Sequence, residues 1–436
     1  MRQYFQKLDS VGSLQLYNLA GFATTLLMGI LLVKSELTPE EVSAYESLLF
    51  LSALVSMFWV MGGQNALLVH FGKLSEARRK LLIFHVFVLF VGGSFVAALV
   101  LYLGGDWLVR YFTSFGAIDW GPQLLCFTLL HPAGLLIHIY YLLLNRERKI
   151  LSVGIPFYVL QLLAVLLPVY LGYGLGAGLW GLVAVAALRF IWVAGMALRH
   201  GTPHWRWAVV LPYLVVLLPL LLRVLVGSSS TYIDGLLVGA LFEDEASFAI
   251  FRYGARELPL SVLLVSALVT VGIARIAENR TEGLELMRRR STSLMHWLFP
   301  LSAVLMVASP SLFRWFYSET FVASAAVFNV YLLLAPVRIL LPQTVMMAEE
   351  RTYWLVWFAV AETVVNVGLS IWWAQEFGMV GIAFATVVAY GFNKVLMIVF
   401  CRRALSVRVR DYLDLRWYGF HTVVLTGVYV FCLLRG

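Results

Sequence analysis

The sequence predicts an all-α protein that crosses a membrane many times. Of its 436 residues, 61% are hydrophobic and 13% are charged, whereas a soluble domain carries about 25% charged residues. The mean hydropathy is +0.86. Apolar runs of about 20 residues, long enough to span a bilayer, recur from one end of the chain to the other. A large soluble core is a poor alternative, because few polar loops separate these runs.

Thirteen apolar segments are predicted, and their order divides the chain into three parts. Residues 1–205 and 206–403 each hold six segments, so we expect two six-helix bundles. Residues 404–436 are expected to form an amphipathic linker and an additional transmembrane helix, giving one or two extra C-terminal helices. The segments cover residues 12–33, 43–70, 81–104, 122–145, 152–172, 176–198, 209–241, 246–276, 292–317, 322–347, 353–374, 378–401 and 417–434.

The distribution of basic residues predicts the orientation of the segments. With the N-terminus in the cytoplasm, 22 of the 32 lysine and arginine residues fall on the cytoplasmic side and four on the outer side. Cytoplasmic loops of membrane proteins carry such an excess. The same arrangement explains the net charge of +8 as a signal that faces anionic lipid, so no nucleic-acid partner is needed.

The seventh segment, residues 209–241, is unusually long. A straight helix of that length would measure roughly 50 Å, against a hydrocarbon core of about 30 Å. It contains Pro212, Pro219 and Gly227, so we expect a bend or a locally unwound stretch. Two short spans are the alternative, but they would place the later arginine clusters outside the cell.

A weak internal repeat relates the two six-helix halves. At an offset of 203 residues, Gly178 corresponds to Gly381, and Pro132 matches Pro336 to within one position. An even number of helices per half gives both halves the same orientation. We therefore expect a pseudo-two-fold axis along the membrane normal, and two such bundles generally enclose a central site that opens alternately to each side.

The stretch from Gly227 to Leu260 carries charges within apolar sequence. Asp234 lies near the end of the seventh segment, and Arg252, Arg256 and Glu257 lie near the start of the eighth. Because charges at mid-membrane are costly, they are expected to face a partner or a watery cavity. Arg252 and Arg256 are four residues apart and so are expected on one side of a helix. Asp234 is expected to pair with one of them, and Glu257 to neutralise a neighbour. Arg223 is predicted about halfway across the membrane.

A second set of charges is predicted deeper in the second half. Arg338, Glu362 and Lys394 occupy the tenth, eleventh and twelfth segments. Glu362 and Lys394 could alternatively form an inter-helix pair that only fixes packing. In the first half we expect no buried acid. Asn18 is a polar candidate there, and Arg189 is expected to extend to the cytoplasmic interface.

No catalytic, cofactor or metal motif is found. The sequence contains no P-loop, nucleotide-binding glycine pattern, HExxH or GxSxG. Its three cysteines have no metal-binding spacing. The protein is therefore not expected to be an enzyme, to bind a cofactor or a metal, or to hydrolyse ATP.

The two parallel halves, the long seventh helix and the segment IDGLLVGALFEDEASFAIFRYGARELPL resemble the polysaccharide-biosynthesis flippases. These are the Wzx-type exporters of lipid-linked oligosaccharides in the MOP superfamily, which also contains the lipid II flippase and the MATE multidrug exporters. The resemblance implies a central cavity in which basic residues hold the diphosphate of an undecaprenyl-linked sugar. The match on the eighth helix falls on Arg252 and Arg256. Unlike the lipid II flippase, the first two helices carry Asn18 and Gln64 in place of arginine, which favours another lipid-linked glycan.

The function implied is export of an undecaprenyl-diphosphate-linked oligosaccharide, such as an O-antigen, capsule or exopolysaccharide unit, across the bacterial inner membrane. Membrane lipids, a glycan polymerase and glycosyltransferases are the implied partners. A MATE-like ion-coupled drug antiporter and a glycan polymerase or glycosyltransferase remain alternatives. The predicted cavity residues are Arg223, Arg252, Arg256, Arg338, Lys394 and Asn18, and the predicted charge partners or gating residues are Asp234, Glu257 and Glu362.

Overall fold

The structure, a computed structural model, describes residues 10–72, 74–112, 120–242, 244–256, 259–349 and 351–435. Within these ranges the regular secondary structure is entirely helical, which confirms the predicted all-α class. A short 3-10 helix covers Glu319–Ala323. The α-helices are α1 (Ser10–Val33), α2 (Pro39–Phe71), α3 (Glu76–Phe112), α4 (Gly121–Gly134), α5 (Ile137–Leu143), α6 (Glu147–Tyr170), α7 (Gly174–His200), α8 (Trp207–Leu241), α9 (Glu245–Gly254), α10 (Pro259–Glu278), α11 (Arg280–Phe316), α12 (Ser324–Leu332), α13 (Leu334–Ile339), α14 (Pro342–Ala348), α15 (Thr352–Ala404), α16 (Val409–Tyr412) and α17 (Leu415–Arg435).

Many of these helices are suited to a bilayer. Among the described residues, 10 helical segments are long and apolar enough to cross a membrane. One of them, α15, contains both the eleventh and the twelfth predicted segments, which meet at Gly378 with a φ of 60°. Only glycine adopts that backbone conformation readily, so Gly378 permits the sharp change of direction. The prediction of a polytopic membrane protein is confirmed.

Two predicted spans are interrupted in the structure. The eighth predicted segment consists of α9 and α10, because α9 ends at Gly254 and α10 begins at Pro259. A Cβ on Gly254 would lie 2.6 Å from the backbone oxygen of Ser324, so this end of α9 packs against the start of α12. Arg252 and Arg256 consequently do not share one helical face as predicted, since Arg256 lies beyond the end of α9.

The tenth predicted segment is divided in the same way. After the 3-10 turn it consists of α12, α13 and α14, with Pro336 inside α13 and Pro342 at the start of α14. Proline lacks an N–H and cannot continue the hydrogen-bond ladder of a helix. Arg338 therefore lies close to a helix end, one residue before the last residue of α13.

The chain divides into two compact units, and the division falls within α8. The first unit contains residues 1–228 and 243–249, and the second contains residues 229–242 and 250–436. The described part of α8 is helical from Trp207 to Leu241, so the expected local unwinding is not observed. The boundary follows Gly227 by one residue. The predicted domain limits at residues 205 and 403 stay predictions.

In the first unit, α6 packs against α1 and α7, and α4 packs against α3 and α7. The largest fully buried side chains of its core include Tyr140 and Tyr213. Their hydroxyl groups donate hydrogen bonds to the backbone oxygens of Ile83 at 2.7 Å and Gly63 at 3.0 Å. Buried tyrosines need such partners, and these bonds connect distant parts of the unit.

In the second unit, α11 is the central packing element. It contacts α10, α12, α16 and the additional helix α17. α15 packs against α12, α13 and α14. The interrupted helices α12 to α14 thus lie among continuous helices, where neighbouring side chains can satisfy the backbone groups that the breaks release.

The start of α2 offers a local test of helix capping. Thr38 Oγ1 accepts a hydrogen bond from the Glu41 N–H at 3.3 Å, and the Glu41 side chain accepts one from the Thr38 N–H at 2.9 Å. We expect Thr38→Ala to lower the free energy of unfolding by about 1 kcal/mol. Thermal unfolding in detergent measures this, with Thr25→Ala, on the exposed surface of α1, as the control that changes little.

Candidate functional site

Asp234 is the centre of a buried polar cluster in the second unit. Its side chain is 2% exposed. The carboxylate accepts hydrogen bonds from the hydroxyl of Tyr331 at 2.7 Å, the hydroxyl of Thr386 at 2.6 Å and the side-chain amide of Asn366 at 3.3 Å. All three donors are neutral, so hydrogen bonds stabilise the carboxylate, and no counter-ion is among its described contacts. Arg252, with which Asp234 was predicted to pair, is not among the described contacts of Asp234.

Three helices contribute the side chains of this cluster. Asp234 projects from α8, Tyr331 from α12, and Asn366 and Thr386 from the two arms of α15. Asn366 also donates to Thr386 at 3.3 Å. One turn further along α15, Ser370 donates to the Asn366 side-chain oxygen at 2.8 Å. This additional hydrogen bond fixes the orientation of the amide that faces the carboxylate.

Two of the predicted arginines line one cavity beside this cluster. Arg256 and Arg338 face a small cavity of about 10 Å³, enough for about one water molecule, together with Tyr331, the donor to Asp234. The remaining lining residues are Ser261, Ser302, Phe328, Leu332, Leu334 and Ala335. The Arg256 guanidinium also lies over the ring of Tyr253, with its Cζ 4.6 Å from the ring centroid. Arg256 and Arg338 belong to segments about 80 residues apart, and the interruptions of their helices bring both to this space.

A third cation lies close to Arg338. Both Arg338 and Lys394 contact the ring of Tyr390, at 5.7 Å for the Arg338 Cζ and 4.8 Å for the Lys394 Nζ. Lys394 is 2% exposed and donates to the side-chain oxygen of Gln343 at 2.8 Å. The region is therefore rich in positive charge held over aromatic rings, an arrangement that stabilises a desolvated cation.

Glu362 is positioned by a neighbour of Lys394. Its carboxylate accepts a hydrogen bond from the side-chain amide of Asn393. Glu362 is 8% exposed. The contacts described for Lys394 are with Gln343 and Tyr390, and the packing pair between Glu362 and Lys394 stays a prediction.

Of the four other predicted residues, Arg252 and Asn18 do not line this cavity. Arg252 lies on α9, half-buried, and is not among the residues that line the cavity. Asn18 is an exposed residue of α1 in the first unit. Glu257 and the side chain of Arg223 lie outside the residues that the structure describes. The roles proposed for these four residues stay predictions.

Arg189 is a buried cation of the first unit. It is 5% exposed and lies on α7, eleven residues before His200, the last residue of that helix. At 1.5 Å per residue this is roughly 16 Å from the helix end. Its Cζ lies 5.1 Å from the ring centroid of Tyr158 and 5.5 Å from that of Phe157, both on α6. The expectation that Arg189 extends to the cytoplasmic interface is therefore wrong.

The sequence-based search missed several buried or half-buried polar residues. Glu46 in α2 is 3% exposed, so the expectation of no buried acid in the first half is wrong. It lies seven residues after Pro39, the first residue of α2, and was overlooked because it is close to a segment end. Tyr331, Thr386 and Gln343 were missed because a single uncharged side chain in an apolar segment gives little signal.

The cavity has the chemistry of an anion site. Two guanidinium groups offer planar forks of N–H donors, which match the oxygens of a phosphate or diphosphate. Tyr331 lines the cavity and donates a hydrogen bond to Asp234, so a buried negative charge lies beside the cavity. This carboxylate can attract a proton or a small cation. Among the described residues, no group of three or more His, Cys, Asp or Glu side chains is placed to hold a metal ion.

Solved structures with the same fold are transporters. A structure of the lipid II flippase MurJ in an inward closed conformation superposes with a TM-score of 0.72 at 16% identity, covering 96% of this chain and 97% of that one. A MATE-family multidrug resistance transporter in an inward-facing conformation gives 0.63 at 16% identity, with 88% and 94% covered. The Vibrio cholerae MATE transporter VcmN in its bent form gives 0.54 at 16% identity, with 92% and 100% covered. No curated protein sequence matches the chain significantly.

The family comparison is more specific than these likenesses of fold. The profile of the family described as lipid II flippase MurJ matches residues 62–435, which is most of the chain. The expected place in the MOP superfamily is thereby confirmed, whereas membership of the Wzx type is not shown. The chain belongs to the MurJ family of lipid II flippases.

Proposed function

We propose that the protein moves an undecaprenyl-diphosphate-linked oligosaccharide from the cytoplasmic to the periplasmic leaflet of a bacterial inner membrane. In this proposal the N-terminus is cytoplasmic, and the cavity opens to each side in turn. The protein performs no covalent chemistry on the glycan. Enzymes that build and polymerise the glycan are its expected functional partners.

The shared cavity of Arg256 and Arg338 supports this proposal most directly. A diphosphate carries several negative charges, and its transfer through a membrane requires donors that replace water. The two arginines converge on one space with Lys394 nearby on Tyr390. Asp234 and Glu362 are then the negative charges that compete for these cations after release and restore the empty state.

The identity of the glycan is the finer part of the proposal. Arginine is absent from the first two helices, where Asn18 and Gln64 stand instead. The family match begins at residue 62, so α1 and most of α2 lie outside it. This divergence favours a lipid-linked glycan other than lipid II, and lipid II is the competing substrate.

We expect Arg256→Ala combined with Arg338→Ala to lower the rate of flipping at least about tenfold. A hydrogen bond to a charged group is worth about 1.5–3 kcal/mol, and about 1.4 kcal/mol corresponds to a factor of ten. Flipping is measured in everted vesicles by the appearance of the labelled lipid-linked glycan on the protected leaflet.

The matched control is Arg314→Ala. This arginine is 60% exposed and pairs with Glu319 at 2.7 Å, so its removal should leave flipping unchanged. Unaltered flipping by the double variant would contradict the role of the cavity. Vesicles loaded with lipid II or with an O-antigen unit separate the two substrate classes, and transport of lipid II alone would overturn the proposed glycan.

The alternative of an ion-coupled drug antiporter is favoured by one specific observation. Asp234 is a buried carboxylate whose partners among the described residues are neutral, which suits exchange of a proton or a small cation. Efflux of ethidium driven by a proton or sodium gradient in the same vesicles, abolished by Asp234→Asn, would support the antiporter and replace the flippase proposal.

A further inference from the structure

An open groove of the second unit lies where α11 meets the short helix α16. Its volume is about 480 Å³, within the range of about 300–1,000 Å³ that is usual for ligand sites. The lining residues are Thr281, Leu284, Glu285, Arg288, Arg410 and Asp411. The first four lie along one side of α11 at helical spacing, and the last two lie on α16. The groove shares no lining residue with the cavity described above.

The wall that α16 forms is anchored to α11 by buried contacts. Tyr412, which follows the lining residue Asp411, is 1% exposed. The hydroxyl of Ser291 on α11 donates to the backbone oxygen of Tyr412 at 3.3 Å. At the start of α11, the Arg280 side chain donates to the backbone oxygen of Leu405, in the loop before α16. These contacts fix both walls, so the groove is a preformed space.

Two arginines of the groove have donors to spare. Arg410 is exposed, and no hydrogen bond or ion pair of its side chain is among the described contacts. Arg288 places its Nη2 atom 3.5 Å from a carboxylate oxygen of Asp414, which is longer than a good hydrogen bond. A guanidinium carries five N–H donors, so both side chains can bind further oxygens.

Two carboxylates line the same groove. Glu285 accepts a hydrogen bond from the Arg289 side chain at 2.8 Å, and this pair is exposed. Asp411 accepts the backbone N–H of Arg408 at 2.7 Å. An ionised carboxylate has about four positions that accept hydrogen bonds. Each acid therefore has room for a further donor, and the groove presents charges of both signs.

The groove lies at the level of the lipid headgroups. Residues 288–290 are three consecutive arginines, and arginine is costly in the hydrocarbon core of a membrane. Further along α11, Trp297 is 79% exposed, and near the start of α17, Trp417 is 45% exposed. Exposed tryptophans of membrane proteins mark the interface with water. The groove therefore lies between the aqueous phase and the apolar surface of α11 and α17.

An apolar surface continues from the groove along α17. Asp414, the partner of the groove arginine on α11, accepts the backbone N–H of Trp417 at 3.4 Å. The ring of Trp417 lies 4.7 Å from that of His296 on α11. Phe420 and Val423 follow at helical spacing and are 57% and 72% exposed. Acyl chains that leave the groove can lie along this side of α17.

We propose that the groove binds the headgroup of phosphatidylethanolamine from the adjoining leaflet. The guanidinium groups of Arg288 and Arg410 match the oxygens of its phosphate. Its primary ammonium donates hydrogen bonds that Glu285 and Asp411 accept. A purely anionic headgroup would meet two carboxylates, and the quaternary ammonium of phosphatidylcholine has no hydrogen to donate. This lipid site goes beyond the proposed transport function, because it uses no residue of the Arg256 cavity.

The test is native mass spectrometry of the full chain in detergent, titrated separately with dioleoyl phosphatidylethanolamine, phosphatidylglycerol and phosphatidylcholine. We expect the natural protein to bind phosphatidylethanolamine most tightly of the three. Arg410→Ala should weaken the binding of phosphatidylethanolamine and of phosphatidylglycerol by about fivefold, the upper end of the effect of an exposed charge pair. Because the Arg410 side chain is exposed, the variant should keep the unfolding temperature of the natural protein.

Glu285→Gln distinguishes a site for a zwitterion from a general basic surface. The amide keeps the size of the side chain but loses the charge that attracts the ammonium. We therefore expect weaker binding of phosphatidylethanolamine and equal or tighter binding of phosphatidylglycerol.

Arg290→Ala is the matched control. Arg290 is an exposed arginine of α11 that does not line the groove, so its removal takes away the same charge and should leave the binding of phosphatidylethanolamine unchanged. Arg256→Ala/Arg338→Ala should also bind this lipid normally, which separates the groove from the transport cavity. The proposal is overturned if either of the other lipids binds the natural protein as tightly as phosphatidylethanolamine, if Arg410→Ala behaves like Arg290→Ala, or if Glu285→Gln keeps the natural preference.

Discussion

Replacing Asp234 with alanine is expected to lower the free energy of unfolding by about 3–5 kcal/mol. The change removes the one acceptor shared by Tyr331, Thr386 and Asn366, whose donor atoms lie 2.6 to 3.3 Å from the carboxylate. Three donors, two of them buried and Thr386 half-buried, would be left facing a cavity. Leaving each buried donor unsatisfied costs about 1–3 kcal/mol, and part of this is recovered by rearrangement.

Unfolding in mixed micelles with increasing denaturant, followed by tryptophan fluorescence, measures this loss. The matched control is Glu278→Ala, which removes an exposed carboxylate that pairs with Arg275 at 3.0 Å. An exposed pair contributes at most about 1 kcal/mol. A loss of less than about 1 kcal/mol for Asp234→Ala would show that the cluster does not stabilise the second unit.

Asp234→Asn separates the charge from the shape of the side chain. The amide keeps one acceptor oxygen but turns a donor toward the hydroxyls of Tyr331 and Thr386. We expect a smaller loss of stability than for alanine, because one hydrogen bond survives and the cavity stays filled. A matching or larger loss would indicate that the negative charge itself holds the three donors together.

The second large effect is expected from Gly181→Ala in α7. A Cβ at this position would overlap the backbone oxygen of Ala164 and lie 2.6 Å from its carbonyl carbon. Because α6 and α7 form the most extensive helix pair of the first unit, neither backbone can move without disturbing the core. Overpacking of this kind costs about 1–3 kcal/mol and occasionally more, and contact with backbone atoms places Gly181 at the upper end.

Gly195→Ala provides the control on the same helix. A Cβ there meets no atom within 4 Å, and alanine favours the helix over glycine by up to about 1 kcal/mol. The two variants should therefore shift the unfolding temperature in opposite directions. Equal shifts would mean that the close approach of α6 and α7 does not determine the stability of the first unit.

The sequence by itself determined the class of the protein and most of its helices. Long apolar runs identify membrane helices because the bilayer sets their length and polarity. The breaks near Gly254, Pro336 and Gly378 occur at glycine and proline residues, which the sequence displays. A charge in an apolar segment is costly unless it has a partner or faces a cavity. This rule selected five residues that are buried or line a cavity in the structure: Arg256, Arg338, Lys394, Asp234 and Glu362.

Only the tertiary structure decided which of these residues meet. A membrane helix is apolar on all sides, so its sequence carries little information about which face turns inward. For that reason Arg252 and Arg256 are equivalent candidates in the sequence, whereas in the structure Arg256 shares a cavity with Arg338.

The same holds for the neutral donors around Asp234 and for the aromatic rings around Arg189. Each partner is an ordinary residue on its own helix, and only helix packing places it beside the charge. Sequence thus locates the buried charges, and tertiary structure selects their partners, because those contacts join residues far apart in the chain.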